Sequence, residues 1–341
     1  MKRVFMGVLL FFIILVLVFG VGDSKKETIR VGYFPNITHG QALVGMSDGS
    51  FQKELGKGID IKTFIFNAGP SVIEAMMSGQ LDLAYVGPNP AINGFIKTKG
   101  ALLRIIAGAA SGGAGLVVRQ ELGVIKIEQL NGLKIASPQL GNTQDVSLRY
   151  FLKANGLKLR EQGGAVEVIP IPNPDQLLMF MKKQIDGAWT VEPWVSRLIV
   201  EAGGNLLLDE RSIWRDQKFV TANIIVSQKF LHQRSNIVKK WLKAHVVLTR
   251  RLNDNPDLAE KLVNAEIKKI TGKPLPDEVI KQAFSRFELT YDPLQSSLIE
   301  SANHAFELGF LGKKQLDLSK IYDLKLLNQV LEELKLAKVK E

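Results

Sequence analysis

The sequence contains no cysteine, so it can form no disulfide, offer no thiol nucleophile and build no thiolate metal site. Stability has to come from burial instead. Histidine is scarce too: His39, His232, His245 and His304 stand in unrelated contexts. No HExxH or His–carboxylate spacing joins them into a metal cluster. A GxxxxGK[ST] phosphate loop is missing. Gly112-Gly-Ala-Gly115 has the glycines of a dinucleotide loop, but it precedes a strand where that loop needs a helix. Gly45-Met-Ser-Asp-Gly49 matches a bare GxSxG, yet it follows a helix where a nucleophile elbow needs a strand, and it reads as a helix end. The sequence therefore predicts no catalytic residues, no metal and no cofactor.

Concentrated charge is also lacking. Of the net +10, Lys2 and Arg3 belong to the N-terminal segment, which leaves +8 on the rest. Lys126, Lys153, Lys158, Arg160, Lys182, Lys183, Lys239 and Lys240 alternate with acids and apolar residues. A nucleic-acid surface would gather such residues and interleave them with aromatics, so no nucleic-acid partner is expected. The scattered charge serves solubility and a mild attraction for anions or anionic membranes.

Long apolar runs occur in one place only. Met1-Lys2-Arg3 is followed by the uncharged stretch Val4–Gly22, which has the basic, apolar and small-residue layout of a secretory signal. Val18 with Gly20, or Gly20 with Gly22, could serve a signal peptidase. Left uncut, the stretch is long enough to span a bilayer as an anchor. Either way, everything after Asp23 is expected outside the cytoplasmic membrane, in the periplasm or on the outer face. No cysteine follows the run to carry a lipid.

The rest of the 341 residues, 46% of the sequence being hydrophobic, can bury two or three compact units. Thr28–Tyr33, Ile59–Phe66, Leu81–Val86 and Leu103–Ala107 read as strands, alternating with helices from Asn36, from Val72 and after Pro90. Gly79 ends the second of these helices. After Ser111–Gly115 a second series begins: strands at Leu116–Val118, Leu133–Ala136, Val166–Ile171 and Gly187–Val191, with helices at Gln144–Asn155 and Pro174–Lys183. Ala222–Val226 is a further strand, and from Ser235 the chain reads as helices to its end. The alternation predicts α/β architecture with largely parallel sheets covered on both faces.

In such sheets ligands sit beyond the carboxyl ends of the strands. The loops there are Asn36–His39, Gly69–Ser71, Gly87–Pro90, Ser111–Gly115, Gly141–Thr143 and Glu192–Trp194. Most place Gly, Ser, Thr or Asn where a helix begins, and a helix N-terminus offers free N–H groups and partial positive charge. Together they suggest a cleft for a small, partly anionic molecule. Each has a plainer reading: Thr143 with Asn142 as a helix cap, Trp189 and Trp194 as core aromatics. Glu192 could receive a ligand amine, cap a backbone group or hold an interlobe contact.

Three stretches carry a resemblance. They are Gly79-Gln-Leu-Asp-Leu-Ala-Tyr-Val-Gly-Pro-Asn-Pro-Ala-Ile92, Leu130-Asn-Gly-Leu-Lys-Ile-Ala136 with Leu140-Gly-Asn-Thr143, and Asp186-Gly-Ala-Trp-Thr-Val-Glu-Pro193. With the export segment, the chain from about Thr28 to about Leu252 resembles the substrate-binding proteins of ABC importers for nitrate, taurine and aliphatic sulfonates. The resemblance implies a type II periplasmic-binding fold, two α/β lobes joined by two crossing strands and closed by C-terminal covering helices. The crossings would lie near Ser111–Val118 and Phe219–Val226. Residues 1–22 would be the signal or anchor, 28–112 the first part of lobe 1, 113–220 lobe 2, and 221–341 the return of lobe 1.

It further implies a monomer that delivers a small anion to the transmembrane permease subunits. Ligand contacts would fall on Thr38, His39, Gly69, Ser71, Asn89, Ser111, Gly141, Asn142, Thr143 and Glu192. Asn142-Thr143 stands where sulfonate binders often show a Ser pair, and Pro88-Asn89 replaces a common Gly-Asp or Gly-Ser. An aliphatic sulfonate is the favoured ligand, with nitrate, a carboxylate or a thiamin-precursor pyrimidine as alternatives. An enzyme on the same fold, of the pyrimidine-precursor synthase type, would need a Cys-rich motif and an intracellular site. The effector domain of a transcription regulator would need a helix-turn-helix where Val4–Gly22 stands.

Overall fold

Short apolar runs bounded by turn residues become strands, and the 3.6-period segments between them become helices laid over both sheet faces. The computed structural model describes residues 26–313 and 317–340; the export segment expected at 1–22 lies outside the described residues. The first series is β1 (Glu27–Tyr33), α1 (Gly40–Ser47), α2 (Ser50–Leu55), β2 (Ile59–Ile65), α3 (Gly69–Met77), β3 (Leu83–Val86), α4 (Pro88–Lys97) and β4 (Leu103–Gly112). The second is β5 (Ala114–Arg119), β6 (Lys134–Ser137), α5 (Thr143–Ala154), β7 (Glu167–Pro170), α6 (Asn173–Met181), β8 (Gly187–Val191), α7 (Trp194–Val200) and β9 (Gly204–Asp209). The chain then returns through β10 (Val220–Ser227), α8 (Gln228–Gln233), α9 (Ser235–Asn253), α10 (Pro256–Thr271) and α11 (Asp277–Phe284). It finishes with β11 (Phe287–Leu289), α12 (Gln295–Glu307) and α13 (Lys325–Glu333).

Two sheets result, one in the order β11-β4-β10-β3-β1-β2 and the other β7-β6-β8-β5-β9. The chain passes from the first sheet to the second between β4 and β5 and comes back between β9 and β10. These are the two crossings of the type II periplasmic-binding fold. The expected largely parallel sheets are mixed: β10 and β11 run antiparallel in the first and β5 runs antiparallel in the second. For β10 and β5 the physical reason is the crossing itself, because a strand arriving from the other lobe points against the βα series it joins; β11 adds to the sheet edge beside β4 from within its own lobe. The first crossing turns on Gly112 and Gly113, at φ +79° and +80°, a region that only glycine adopts without strain. There the Gly113 N–H donates to the Arg286 carbonyl at 2.8 Å, and the Thr221 hydroxyl donates to the Gly112 carbonyl.

One device recurs in both lobes. Asp82, just before β3, accepts from the Arg30 N–H and Nε, both at 2.8 Å. Asp186, just before β8, accepts from the Lys134 N–H at 2.8 Å and from Arg119 Nη2 at 2.5 Å. Each carboxylate locks the register of the central strand pair, so the Asp of each Gly–Asp stretch is a structural residue. Both faces of both sheets are covered. Under the first sheet Ile29, Val31, Phe51 and the α9 residues Trp241 and Leu242 form one core, and Val72, Ile92, Phe95 and Leu298 form another on the opposite face. In the second lobe Leu148, Phe151 and Trp189 pack on one face, and Val117, Phe180 and Leu198 on the other. Trp189 is a core aromatic, fully buried. Among the described residues, no helix is long and apolar enough to cross a membrane.

Candidate functional site

The carboxyl ends of β1, β2 and β3 open into helix starts on one lobe, and the loop after β6 does the same on the other. Between them lies a small cavity of about 30 Å³. Phe34, Asn36, Thr38, His39, Gly69, Gly87, Pro90 and Thr221 line it from the first lobe; Asn142, Thr143, Gln144 and Val191 line it from the second. Among these twelve residues none is Lys, Arg, Asp or Glu. His39 adds no charge, since burial without a compensating acid lowers its pKa to about 3. Its Nδ1 accepts from the Phe34 N–H at 3.2 Å, which places the proton of the neutral ring on Nε2.

What polarises the cavity is backbone. Helices α1, α3 and α4 start at it from one lobe and α5 from the other, so four macrodipoles converge with their positive ends. The first turns of α1, α3 and α4 hold no acidic residue, and no side chain caps them. Pro70, Pro88 and Pro90 have no N–H, so the donors left at these ends are those of residues such as Gly69, Ser71 and Asn89. In the first turn of α5, Asp145 is neutralised: it accepts from Ser137 Oγ at 2.6 Å, from the Gly141 N–H at 2.9 Å and from Arg149 Nε at 3.0 Å.

The helix cap is Asn142, whose side chain accepts from the Asp145 N–H at 2.9 Å. This corrects the expectation that Thr143 would share that role. Thr143 is the first residue of α5, and its buried Oγ1 has no partner among the described residues. A buried hydroxyl left unpaired is costly, and here it sits at the wall of a cavity able to supply the partner. Gly87 explains how the lobes come so close, because a Cβ on it would lie 2.3 Å from Thr143 Oγ1.

Of the ten residues expected at the ligand, the structure gathers Thr38, His39, Gly69, Asn142 and Thr143 around one cavity. It places the other five side chains elsewhere. Ser71 is the third residue of α3 and half-buried. Asn89 turns to α12, accepting from Ser301 Oγ at 2.7 Å and donating to the Ser301 carbonyl at 3.3 Å. Ser111 is held in β4, paired with Val220 and Glu288 on either side. Gly141 spends its N–H on Asp145. Glu192 is fully buried and takes the second and third of its three open roles. It accepts from the Ser196 N–H at 3.0 Å and Oγ at 2.9 Å, and from Arg286 of the other lobe at 3.0 Å. Burial still dominates, pushing its pKa up to about 7 against the pull of Ser196 and Arg286.

The residues missed are Phe34, Asn36, Gly87, Pro90, Gln144, Val191 and Thr221. Gly87 stood in a loop already singled out, and its pairing with Thr143 across the lobes is what no local pattern shows. Thr221 had a faint signal, a hydroxyl inside the otherwise apolar run Phe219–Val226 that is broken again by Asn223.

Comparison with known proteins agrees with the two-lobed fold. The taurine-binding periplasmic protein of Escherichia coli (strain K12) is 26% identical over 238 residues, covering 69% of this chain and 71% of that protein. The alkanesulfonate-binding protein SsuA from Xanthomonas axonopodis pv. citri, solved bound to MOPS, superposes with a TM-score of 0.71 at 18% identity, covering 88% of this chain and 99% of that one. The periplasmic nitrate-binding protein NrtA from Synechocystis PCC 6803 gives a TM-score of 0.76 at 14% identity, covering 91% and 90%. The profile of the NMT1-like family matches residues 22–267. With most of its length inside that match and two lobes of periplasmic-binding type, the chain belongs to the NMT1-like family.

Proposed function

We propose that this protein is the extracytoplasmic binding component of an ABC importer, capturing a small organic anion with a sulfonate head and presenting it to the permease. The observation that carries this reading is the interlobe cavity, where four helix N-termini and the unpartnered Thr143 hydroxyl meet without a charged side chain. Such a site favours a compact monoanion, since backbone dipoles solvate spread negative charge well. The taurine-binding and alkanesulfonate-binding relatives support a sulfonate. Their description as binding proteins supports capture without chemistry. The volume of about 30 Å³ favours a second reading, nitrate, which would fill the cavity alone.

Isothermal titration of ligand-stripped protein with methanesulfonate, taurine, nitrate and a hydroxymethylpyrimidine distinguishes these readings. The proposal expects sulfonates to bind best and Thr143→Val to weaken them at least tenfold without lowering the melting temperature. Binding of the pyrimidine alone, or of no anion, would overturn it.

A further inference from the structure

A second space opens beside the anion cavity, and it differs in both size and chemistry. It is a groove of about 680 Å³ between the lobes. Asn36 lines both spaces, and its side chain accepts from Trp194 Nε1 at 3.1 Å across the lobes. On one side stand Ile65, Ile267, Ile270 and Leu275; on the other, Pro193 and Trp194. The Trp194 ring is held by that hydrogen bond and by the Arg197 guanidinium 4.7 Å from its centre. Arg197 is paired in turn with Glu201, at 2.7 and 3.1 Å. Among the charged residues of the lining, Lys273 alone is left without such a pairing. Ile270 and Leu275 lie beyond residue 267, where the family match ends, so this wall belongs to the chain's own C-terminal part.

We propose that the groove receives the neutral, apolar tail of the anion whose head occupies the inner cavity. The ligand class is then a sulfonate bearing an alkyl or aryl substituent of about four carbons or more, in preference to nitrate or a zwitterion such as taurine. This rests on the anion reading of the inner cavity. Three arguments carry the inference. By the same measure of volume a single water needs roughly 10–15 Å³, so a cavity of about 30 Å³ holds a head group and no substituent. The shared Asn36 makes the groove the space adjoining the cavity, where whatever is attached to the head would lie. The lining is mostly apolar with one surplus positive charge, which welcomes methylenes and repels an ammonium group.

The test is titration of ligand-stripped protein with a homologous series from methanesulfonate to octanesulfonate, plus nitrate and taurine, whose ammonium group the propanesulfonate of the series replaces with a methyl. The Kd should fall roughly three- to fourfold per methylene until the groove is filled, and taurine should bind at least tenfold more weakly than propanesulfonate. Ile270→Asn and Trp194→Ala should each lower the ratio of octanesulfonate to methanesulfonate affinity, by about fivefold or more. Ile270 is only partly buried, so its variant keeps the test alive if loss of Trp194 disturbs folding. Equal affinity along the series, or taurine as tight as propanesulfonate, overturns the groove and leaves the anion site standing. Failure of every sulfonate and of nitrate to bind overturns both.

Discussion

Acidification from about pH 7 to about pH 4.5 should destabilise this protein by an amount set by buried groups of opposing sign. Burial lowers the pKa of His39 to about 3 and of His245 to about 4, below the ordinary value of about 6.5. A histidine depressed in the folded state contributes stability above its unfolded pKa and loses it as the pH falls toward the folded value. At pH 4.5 each has lost about 2.5 kcal/mol, or about 5 kcal/mol together. Glu192 works the other way. Its folded pKa is raised to about 7, so the stability linked to it is present at low pH and lost as the pH climbs through 7. Over the same descent it returns about 2.5 kcal/mol; buried Glu210, also raised by burial, adds to that return, while half-buried His304, lowered by burial to about 4, adds to the loss. The net loss is then about 2–3 kcal/mol, a large share of a typical 5–15 kcal/mol stability.

Glu192→Gln separates these contributions. It removes the returning group and leaves the histidines, so the loss across the window should roughly double, to about 5 kcal/mol. The assay is urea denaturation of ligand-free protein followed by tryptophan fluorescence, with midpoints compared at the two pH values for each variant. Only the pH difference is interpreted, because the baseline of the variant also changes when Arg286 loses its partner. An E192Q protein that loses no more stability than the parent on acidification would refute the reasoning.

Three further substitutions report on local packing. Gly87→Ala should fold normally, since Gly87 has an ordinary φ of −67°, but its Cβ would meet Thr143 Oγ1 at 2.3 Å; anion affinity by calorimetry should fall at least tenfold. Asn142→Ala removes the α5 cap and should cost about 1 kcal/mol in denaturant titration, with a value near zero excluding the cap. Gly45→Ala would set a Cβ 2.4 Å from the Phe51 ring and 2.6 Å from Leu248, an overpacking worth about 1–3 kcal/mol, read as a lowered melting temperature.

What the sequence showed of the fold follows from how strands are buried. β1, β3, β6 and β8 are short apolar runs ending at Gly, Pro or polar residues, and their alternation with helical periods was enough to show two α/β series. β9 escaped because Gly204-Asn-Leu-Leu-Leu-Asp209 has no alternation to separate it from the helix before it. β11 escaped because three residues, Phe287–Leu289, form a strand only by pairing with β4, far away in the chain. The expectation of uninterrupted helices after Ser235 fails there for the same reason. Within the site, helix starts at Gly69 and Gly141–Thr143 were legible as local grammar. Which neighbour satisfies a side chain was not: Asn89 finds Ser301 and Glu192 finds Arg286 from elements remote in sequence.

On the proposed reading of the cavity as an anion site, the absence of side-chain charge among its lining residues has a consequence for how closure would be coupled to the ligand. A lysine or arginine acts at long range, so it would hold an anion on an open lobe nearly as well as in a closed cleft. Helix ends act within about a turn, and here they are divided, three on one lobe and α5 on the other. In an open form the anion meets only one set. Closure adds the α5 end and the Thr143 hydroxyl, together worth about 1–3 kcal/mol, or roughly a five- to 150-fold preference of the bound anion for the closed state. A ligand shifts a conformational equilibrium only by its difference in affinity between the two states. A site built from divided dipoles places its affinity in that difference, whereas one built from a single fixed cation would bind tightly and signal little.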